Sequence, residues 1–197
     1  MSIQIEQELI EMARCGDEES FRTIYFALRD PIYSFVFRML NNEAAAEDIT
    51  HEVFLFFIQN SAKFEAGRCS LFTFLCGVAR NKVFKQFKAN GRHPATNGNE
   101  IDESLEKYFT TFETPLWIYL RSELAEKIYE CLNKLSPLQR EVIVLRYVNE
   151  CSYKEIAEIT IADISLVKAR LFRAHRNLEK QLGEYTRPSE QKNYEMR

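Results

Sequence analysis

Leu135-Ser136-Pro137-Leu138-Gln139-Arg140-Glu141-Val142-Ile143-Val144-Leu145-Arg146-Tyr147, followed by Ser152-Tyr153-Lys154-Glu155-Ile156-Ala157-Glu158, decides the fold of this chain. Each stretch carries a Ser with Gln or Glu three residues later, Ser136 with Gln139 and Ser152 with Glu155, the pattern of a capping box, and the first adds Pro at the first helical position. Asp163 can cap a last helix running to about Leu182. Three short helices in succession suggest a helix-turn-helix unit. On a wheel of about 100° per residue, Ile164, Val167, Leu171, Ala174 and Leu178 share one face of the last helix. Ser165, Lys168, Ala169, Phe172, Arg173 and Arg176 share the other. A major-groove reader needs this split: an apolar stripe to seat it, and cations with small or apolar tips toward bases. An outward Phe172 can touch thymine methyls. A solvated basic helix with a stray Phe would give the same pattern. Ile161 in the turn Thr160-Ile161-Ala162-Asp163 disfavours a positive φ, so the turn is expected to take another geometry.

Upstream the punctuation is also helical. Among 197 residues, 46% are hydrophobic, with only 6 Gly and 5 Pro. Strand-like alternation is scarce, which points to an all-α protein with real cores. A helix from about Gln4 to Cys15 stops at Gly16, and Asp17 caps a second, to about Arg29. Pro31 suits the first turn of a third, to Leu40. Asn42 caps a fourth, Glu43 to about Ser61, and a fifth spans Ser70 to about Ala89. Gly91 to Asn99 is rich in turn formers, and the acidic stretch to Thr114 continues a linker. Pro115 opens a helix to about Leu135. The expected organisation is two small helical domains, residues 1–90 and 115–183, joined by an extended, flexible, acidic linker at 91–114 and ending in a polar tail at 184–197.

Net charge is −3, yet the charge is segregated. Lys63, Arg68, Arg80, Lys82, Lys85, Lys88 and Arg92 face a single acid, Glu65, within residues 63–92. Lys168, Arg170, Arg173, Arg176 and Lys180 face only Glu179 within 165–180. Two basic stripes on an acidic body bind DNA weakly alone and well only when both are held together. Five cysteines without a C-x-x-C pair and three scattered histidines argue against a disulfide framework, a metal site or a cofactor. No apolar run is long enough for a membrane span and no signal-peptide pattern opens the chain, so a cytoplasmic protein is expected. No P-loop, G-x-S-x-G, H-E-x-x-H or Cys/His dyad indicates an enzyme.

Two further segments carry candidate sites. On the fourth helix Ile49, Val53, Phe56 and Phe57 form a core stripe, while Asp48, His51, Glu52 and Leu55 cluster opposite. Paired acids around an outward Leu make either a solvated face or a docking site with an apolar anchor in a polar rim. The fifth helix and its preceding loop alternate cations with aromatics, which suits an unstacked single strand. Lys63, Phe64, Arg68, Ser70, Arg80, Asn81, Lys82, Lys85 and Lys88 are the candidate contacts there, whereas Phe74 is expected in the core.

Ala46-Glu47-Asp48-Ile49-Thr50-His51-Glu52-Val53-Phe54-Leu55 resembles the E-D-hydrophobic-x-Q-E-V-F-L stretch of extracytoplasmic-function (ECF) sigma factors, with His51 where Gln is usual. Phe64 to Asn81 resembles their F-x-G-x-x-x-F-x-x-W-L-x-x-I-A-R-N run, with Leu71 for Phe and Phe74 for Trp. The opening stretches resemble L-P-x-x-Q-R-E-V-hydrophobic-x-L-R-Y and S-Y-x-E-I-A-E, and Val167 to Ala174 resembles V-K-S-R-L-x-R-A. The resemblance implies a sigma factor with regions 2 and 4 only. Asp48, His51, Glu52 and Leu55 would dock on the β′ clamp helices of core RNA polymerase, and region 4 on the β flap. The fifth helix would read the minus-10 element. Tyr153, Lys154, Ser165, Lys168, Ala169, Phe172, Arg173 and Arg176 would read the minus-35 element. An anti-sigma factor or another targeting partner is implied as well. The alternatives are an ordinary helix-turn-helix transcription regulator, which needs neither the Asp48/Glu52 face nor the Phe64–Lys88 segment, and a sigma-like adaptor that docks on polymerase without selecting promoters.

Overall fold

Helix α2 runs unbroken from Glu18 to Leu40 with Pro31 inside it, where the sequence pattern predicted two helices. An interior Pro removes one backbone hydrogen bond and crowds the carbonyl four residues back, a cost of about 3 kcal/mol. Burial offsets it: Leu28, Ile32, Phe35, Val36 and Met39 line one fully buried stripe across the Pro, each worth about 1.5–3 kcal/mol out of water. Asp17 caps the start by accepting from Ser20 N at 2.8 Å, and its hydrogen bonds with Ser20 hold its carboxyl below the usual range. Asn41 closes the end in the left-handed region, φ 52°.

The computed structural model describes residues 5–91 and 126–186, with side chains to residue 183. Helix α1, Gln7–Arg14, packs on α2. Asn42 caps α3, Glu43–Asn60, accepting from Ala45 N at 2.9 Å. A single 3-10 turn, Ser61–Lys63, extends it. Ser70 caps α4, Leu71–Ala89, accepting from Thr73 N at 3.1 Å. The expected linker and the start of the helix predicted from Pro115 lie outside the described residues.

Helix α5 covers described residues 126–133, and α6, Pro137–Tyr147, follows. The two predicted capping boxes part company. At α7, Tyr153–Thr160, both bonds of the Ser152/Glu155 box are present. At α6, Ser136 makes no side-chain cap bond: Gln139 N donates to Ser136 O at 2.9 Å instead, and the Gln139 side chain, the other half of the box, accepts from Asn177 Nδ2 at 3.0 Å. The last helix, α8, spans Ile164–Thr186 and passes through Gly183, beyond the predicted end near Leu182.

The turn before α8 corrects a second expectation. Ile161 does sit at positive φ, 51°. Ala162 N donates to Ala157 O at 3.0 Å and Ile161 N to Glu158 O at 3.4 Å, the paired bonds of a Schellman motif. Those bonds hold a β-branched residue where it costs about 1–2 kcal/mol.

The two helical groups pack together, α2 against α6 and α4 against α7. Arg140 is the buried tie: it donates to Leu132 O at 2.9 Å, Asn133 O at 2.7 Å and, across the contact, Met39 O at 2.9 Å. Asn149 Nδ2 donates to Pro31 O at 2.9 Å. Arg38 bonds the Tyr129 hydroxyl and lies over its ring. Among the described residues, no helix is long and apolar enough to cross a membrane.

Candidate nucleic-acid and protein interface

Helix α3 buries more of its circumference than a single stripe. Ile49, Val53 and Phe57 are buried as expected, but so are Phe54 and Thr50. Phe54 packs edge-on to Tyr25 and Phe21, and the Thr50 hydroxyl bonds Ala46 O at 2.7 Å. Phe56 is only half-buried, with Lys63 over its ring at 5.4 Å. What remains outside is a narrow strip in which Asp48, His51, Glu52 and Leu55 are all exposed. Ile58 continues it, and Leu55 and Ile58 are each 55% exposed. Ile58 was missed in the sequence, although its i+3 spacing from Leu55 marks it. Glu52 accepts from Lys82 Nζ at 2.6 Å, so the strip borders the basic helix directly.

Helix α4 distributes its candidate residues unevenly. Lys63, Arg68, Asn81, Lys85 and Lys88 are exposed. Phe64 is 3% exposed and packs on Phe74 at 5.5 Å. It is a core residue here and presents nothing to a strand, whereas Phe74, expected in the core, is half-buried. The Ser70 hydroxyl is spent on the cap, with Thr73 Oγ1 at 2.9 Å. Arg80, Asn81, Phe84, Lys85 and Lys88 line an open groove of about 420 Å³ that Leu138 of α6 closes. Arg80 lies over the Phe84 ring at 4.5 Å.

Arg80 does more than line the groove. Its Nε meets Glu141 Oε2 at 2.7 Å and its NH2 meets Oε1 at 3.3 Å. Arg170 of α8 reaches the same Oε1 at 3.3 Å. Glu141 is fully buried. Burial pushes its carboxyl above the ordinary range, and the two guanidiniums pull against that shift. The Cys76 thiol, one helical turn before Arg80, lies near enough to Cys151 and Glu141 to feel their charge. Burial pushes Cys76 well above the ordinary thiol range and Cys151 up to about 12, so both are inert small core fillers.

Helix α8 seats itself on Val167, Leu171 and Ala174, which are buried, while Ile164, predicted in that stripe, is exposed beside the turn. Ser165, Lys168, Phe172, Arg173 and Arg176 face solvent and Ala169 is half-buried. Phe172 is 63% exposed and Ile161 83%. Tyr153 of α7 lies between Arg146, 5.0 Å from its ring centre, and Lys168, 5.6 Å away. Lys154 is exposed next to it. The α7 and α8 candidates thus form one cationic, aromatic surface. Among the described residues, no group of three or more His, Cys, Asp or Glu could hold a metal ion.

Two family models match this chain: sigma-70 region 2 over residues 24–93, and sigma-70 region 4 over 125–178. The chain is 30% identical over 177 residues to the ECF RNA polymerase sigma factor SigW of Bacillus subtilis, covering 88% of this chain and 94% of that one. It is 26% identical over 181 residues to the ECF RNA polymerase sigma factor BldN of Streptomyces coelicolor, covering 91% and 67%. The fold is similar to that of the sigma factor RpoE of Bartonella quintana, solved with the anti-sigma factor NepR, with TM-score 0.66, 23% identity and coverage of 84% and 98%. It is also similar to CnrH, solved with the cytosolic domain of CnrY, with TM-score 0.67, 19% identity and coverage of 89% and 96%. A simple helix-turn-helix regulator has no need of the first helical group. With both regions matched and a full-length relative at this identity, the chain belongs to the ECF sigma factors of the sigma-70 family, the subunits that bind core RNA polymerase and direct it to promoters.

Proposed function

We propose how this sigma factor divides its work among named residues. Asp48, His51, Glu52 and Leu55, with Ile58 beside them, dock on the clamp helices of the β′ subunit. Lys63, Arg68, Asn81, Lys85 and Lys88 track the phosphates of the melted minus-10 strand, joined by Arg80 and Lys82 once their carboxylate partners release them. Tyr153, Lys154, Ser165, Lys168, Ala169, Phe172, Arg173 and Arg176 read the minus-35 element, with region 4 resting on the β flap. The boundaries 1–90 and 115–183 mark the two working domains. The acidic linker threads the polymerase between them, along a path built for nucleic acid where carboxylates are well placed. The protein does its work in the cytoplasm and catalyses nothing itself. The solved RpoE is bound to the anti-sigma factor NepR, and CnrH to the cytosolic domain of CnrY; the reading includes an anti-sigma partner here.

The observation that carries the reading is the α3 strip. Two large apolar side chains stand exposed next to carboxylates on a helix whose opposite side is buried, the anatomy of an interface anchor beside a polar rim. Because Leu55 makes little contact within the chain, Leu55→Glu keeps the fold while weakening core polymerase binding by at least tenfold in a fluorescence titration. Unchanged binding would refute the assignment.

A further inference from the structure

The surface assigned to minus-35 reading is uneven along its length. Its cations on α8 begin at Lys168 and continue through Arg173 and Arg176, with Lys154 of α7 beside them, and all four are exposed. The stretch before them, Ile161-Ala162-Asp163-Ile164-Ser165-Leu166-Val167, contains no Lys, Arg, Asn or Gln. Those are the side chains that hydrogen-bond guanine or adenine in pairs. What this stretch exposes instead is Ile161 at 83%, Ile164 at 44% and the carboxylate of Asp163. Among the described residues, that carboxylate has no hydrogen-bond or ion-pair partner. Ile161 holds its exposed side chain at φ 51°, strain that packing does not repay and that points to a use outside the chain.

The adjoining cations draw this surface onto a polyanion, and duplex DNA is the occupant they fit. A carboxylate in that setting is repelled by phosphate and needs a donor from a base edge. The major groove offers two, cytosine N4 and adenine N6. Adenine sets the N7 acceptor beside its donor and gives an apolar side chain nothing to cover. Cytosine carries its amino group and C5 on neighbouring ring atoms, so a methyl at C5 places apolar surface directly beside the donor. Asp163 and Ile164 are neighbours too, with Cα atoms about 3.8 Å apart. Thymine supplies the methyl but turns the O4 acceptor toward the carboxylate. Unmodified cytosine supplies the donor and leaves the isoleucines uncovered. Only the methylated base satisfies both.

We propose that the start of α8 reads a C5-methylated cytosine, with Asp163 on its N4 amino group and Ile161 and Ile164 on its methyl, so that promoter choice by this chain responds to cytosine methylation. The inference rests on the assignment of α8 as the minus-35 reader and names the base that its first turn takes. The cations beyond Lys168 position the helix on phosphate, and the apolar, acidic stretch before them selects.

The test binds the holoenzyme, core polymerase with the full chain, to two libraries of random upstream duplex, one amplified with cytosine and one with 5-methylcytosine, and sequences what is bound. Expected is a cytosine enriched at one fixed position of the upstream element in the methylated library. A single duplex methylated there should bind about fourfold tighter than the unmethylated one, the weight of one buried methyl. Thymine at that position should bind about tenfold more weakly than 5-methylcytosine, the loss of one good base contact. Asp163→Ala should abolish the preference over thymine, and Ile161→Ser with Ile164→Ser should abolish the methyl gain. Lys168→Ala should weaken both libraries alike and keep their ratio. An upstream element that is enriched but bound equally with and without the methyl overturns the proposal and leaves α8 as its reader. In that case, variants that also bind DNA unchanged would give the patch to a protein partner. A methyl gain that survives the loss of both isoleucines, or that thymine shares in full, overturns it as well. Polymerase that binds the chain yet enriches no upstream element in either library overturns both the proposal and the assignment of α8.

Discussion

The two basic helices are built alike and presented differently. Both α4 and α8 lay an apolar stripe on their own helical group and turn cations outward. On α4 two of those cations are engaged within the chain, Arg80 by Glu141 and Lys82 by Glu52. On α8 Lys168, Arg173 and Arg176 stand in solvent, beside Phe172 and the projecting Ile161. The basic surface of α4 is thus partly covered by the chain itself, while that of α8, apart from Arg170 on Glu141, is open. The difference teaches that basic charge on a helix does not measure its availability. Glu141, 61 residues away from Arg80, decides it.

The sharpest way to break this comparison is Glu141→Ala. It leaves Arg80 and Arg170 converging on a buried site with no anion, so unfolding in urea should show a loss of about 3–5 kcal/mol. A loss below about 1 kcal/mol would mean the bridge behaves as a surface pair and masks nothing. Next is the open side. Ile161→Gly removes the left-handed strain from a side chain that buries almost nothing, and a thermal melt should show a gain of about 1 kcal/mol. A loss would mean that Ile161 has packing the structure does not give it. The caps separate the two openings of the C-terminal half. Ser152→Ala should cost about 1 kcal/mol, because both bonds of its box are made. Ser136→Ala should leave the midpoint where it is, and equal losses would contradict the difference at Gln139. The smallest effect tests the apolar tip. Replacing thymine by uracil in a minus-35 duplex removes a methyl, and binding should fall about fourfold, the weight of one buried methyl. That drop should vanish in Phe172→Ala. A drop that persists in the variant places the methyl contact elsewhere.

Local chemistry made much of this legible. Asp17, Asn42, Ser70 and Ser152 announce their helices because a cap needs only its own next three residues. The centres of the α3 and α8 seats, Ile49, Val53 and Phe57 and then Val167, Leu171 and Ala174, follow from spacing, while Phe54, Thr50 and Ile164 depart from it. Where the sequence misled, a distant group had intervened. Pro31 reads as a helix start, and the stripe from Leu28 to Met39 overrides it by burial that no local pattern contains. Phe64 stands alone among polar neighbours, without a period to mark it as core, and only its contact with Phe74 draws it in. Ser136 and Gln139 form a sound box on paper, but Asn177 from α8 takes the Gln away. Arg80 fits the basic stripe of α4 on spacing, and its commitment to Glu141 is a property of the folded chain. The family motifs pointed to the α3 face and to both basic helices. They are silent on the exposure of Ile58 and on the bridge from Arg80 to Glu141, which arise only once the helices pack.

The most direct measurement is transcription in vitro with core polymerase and this chain over a library of random promoter upstream regions, with the start sites sequenced. Initiation should appear only with the chain present, on templates sharing two spaced elements, and fail when either element is scrambled. Polymerase that binds the chain yet starts on no enriched sequence would contradict the account.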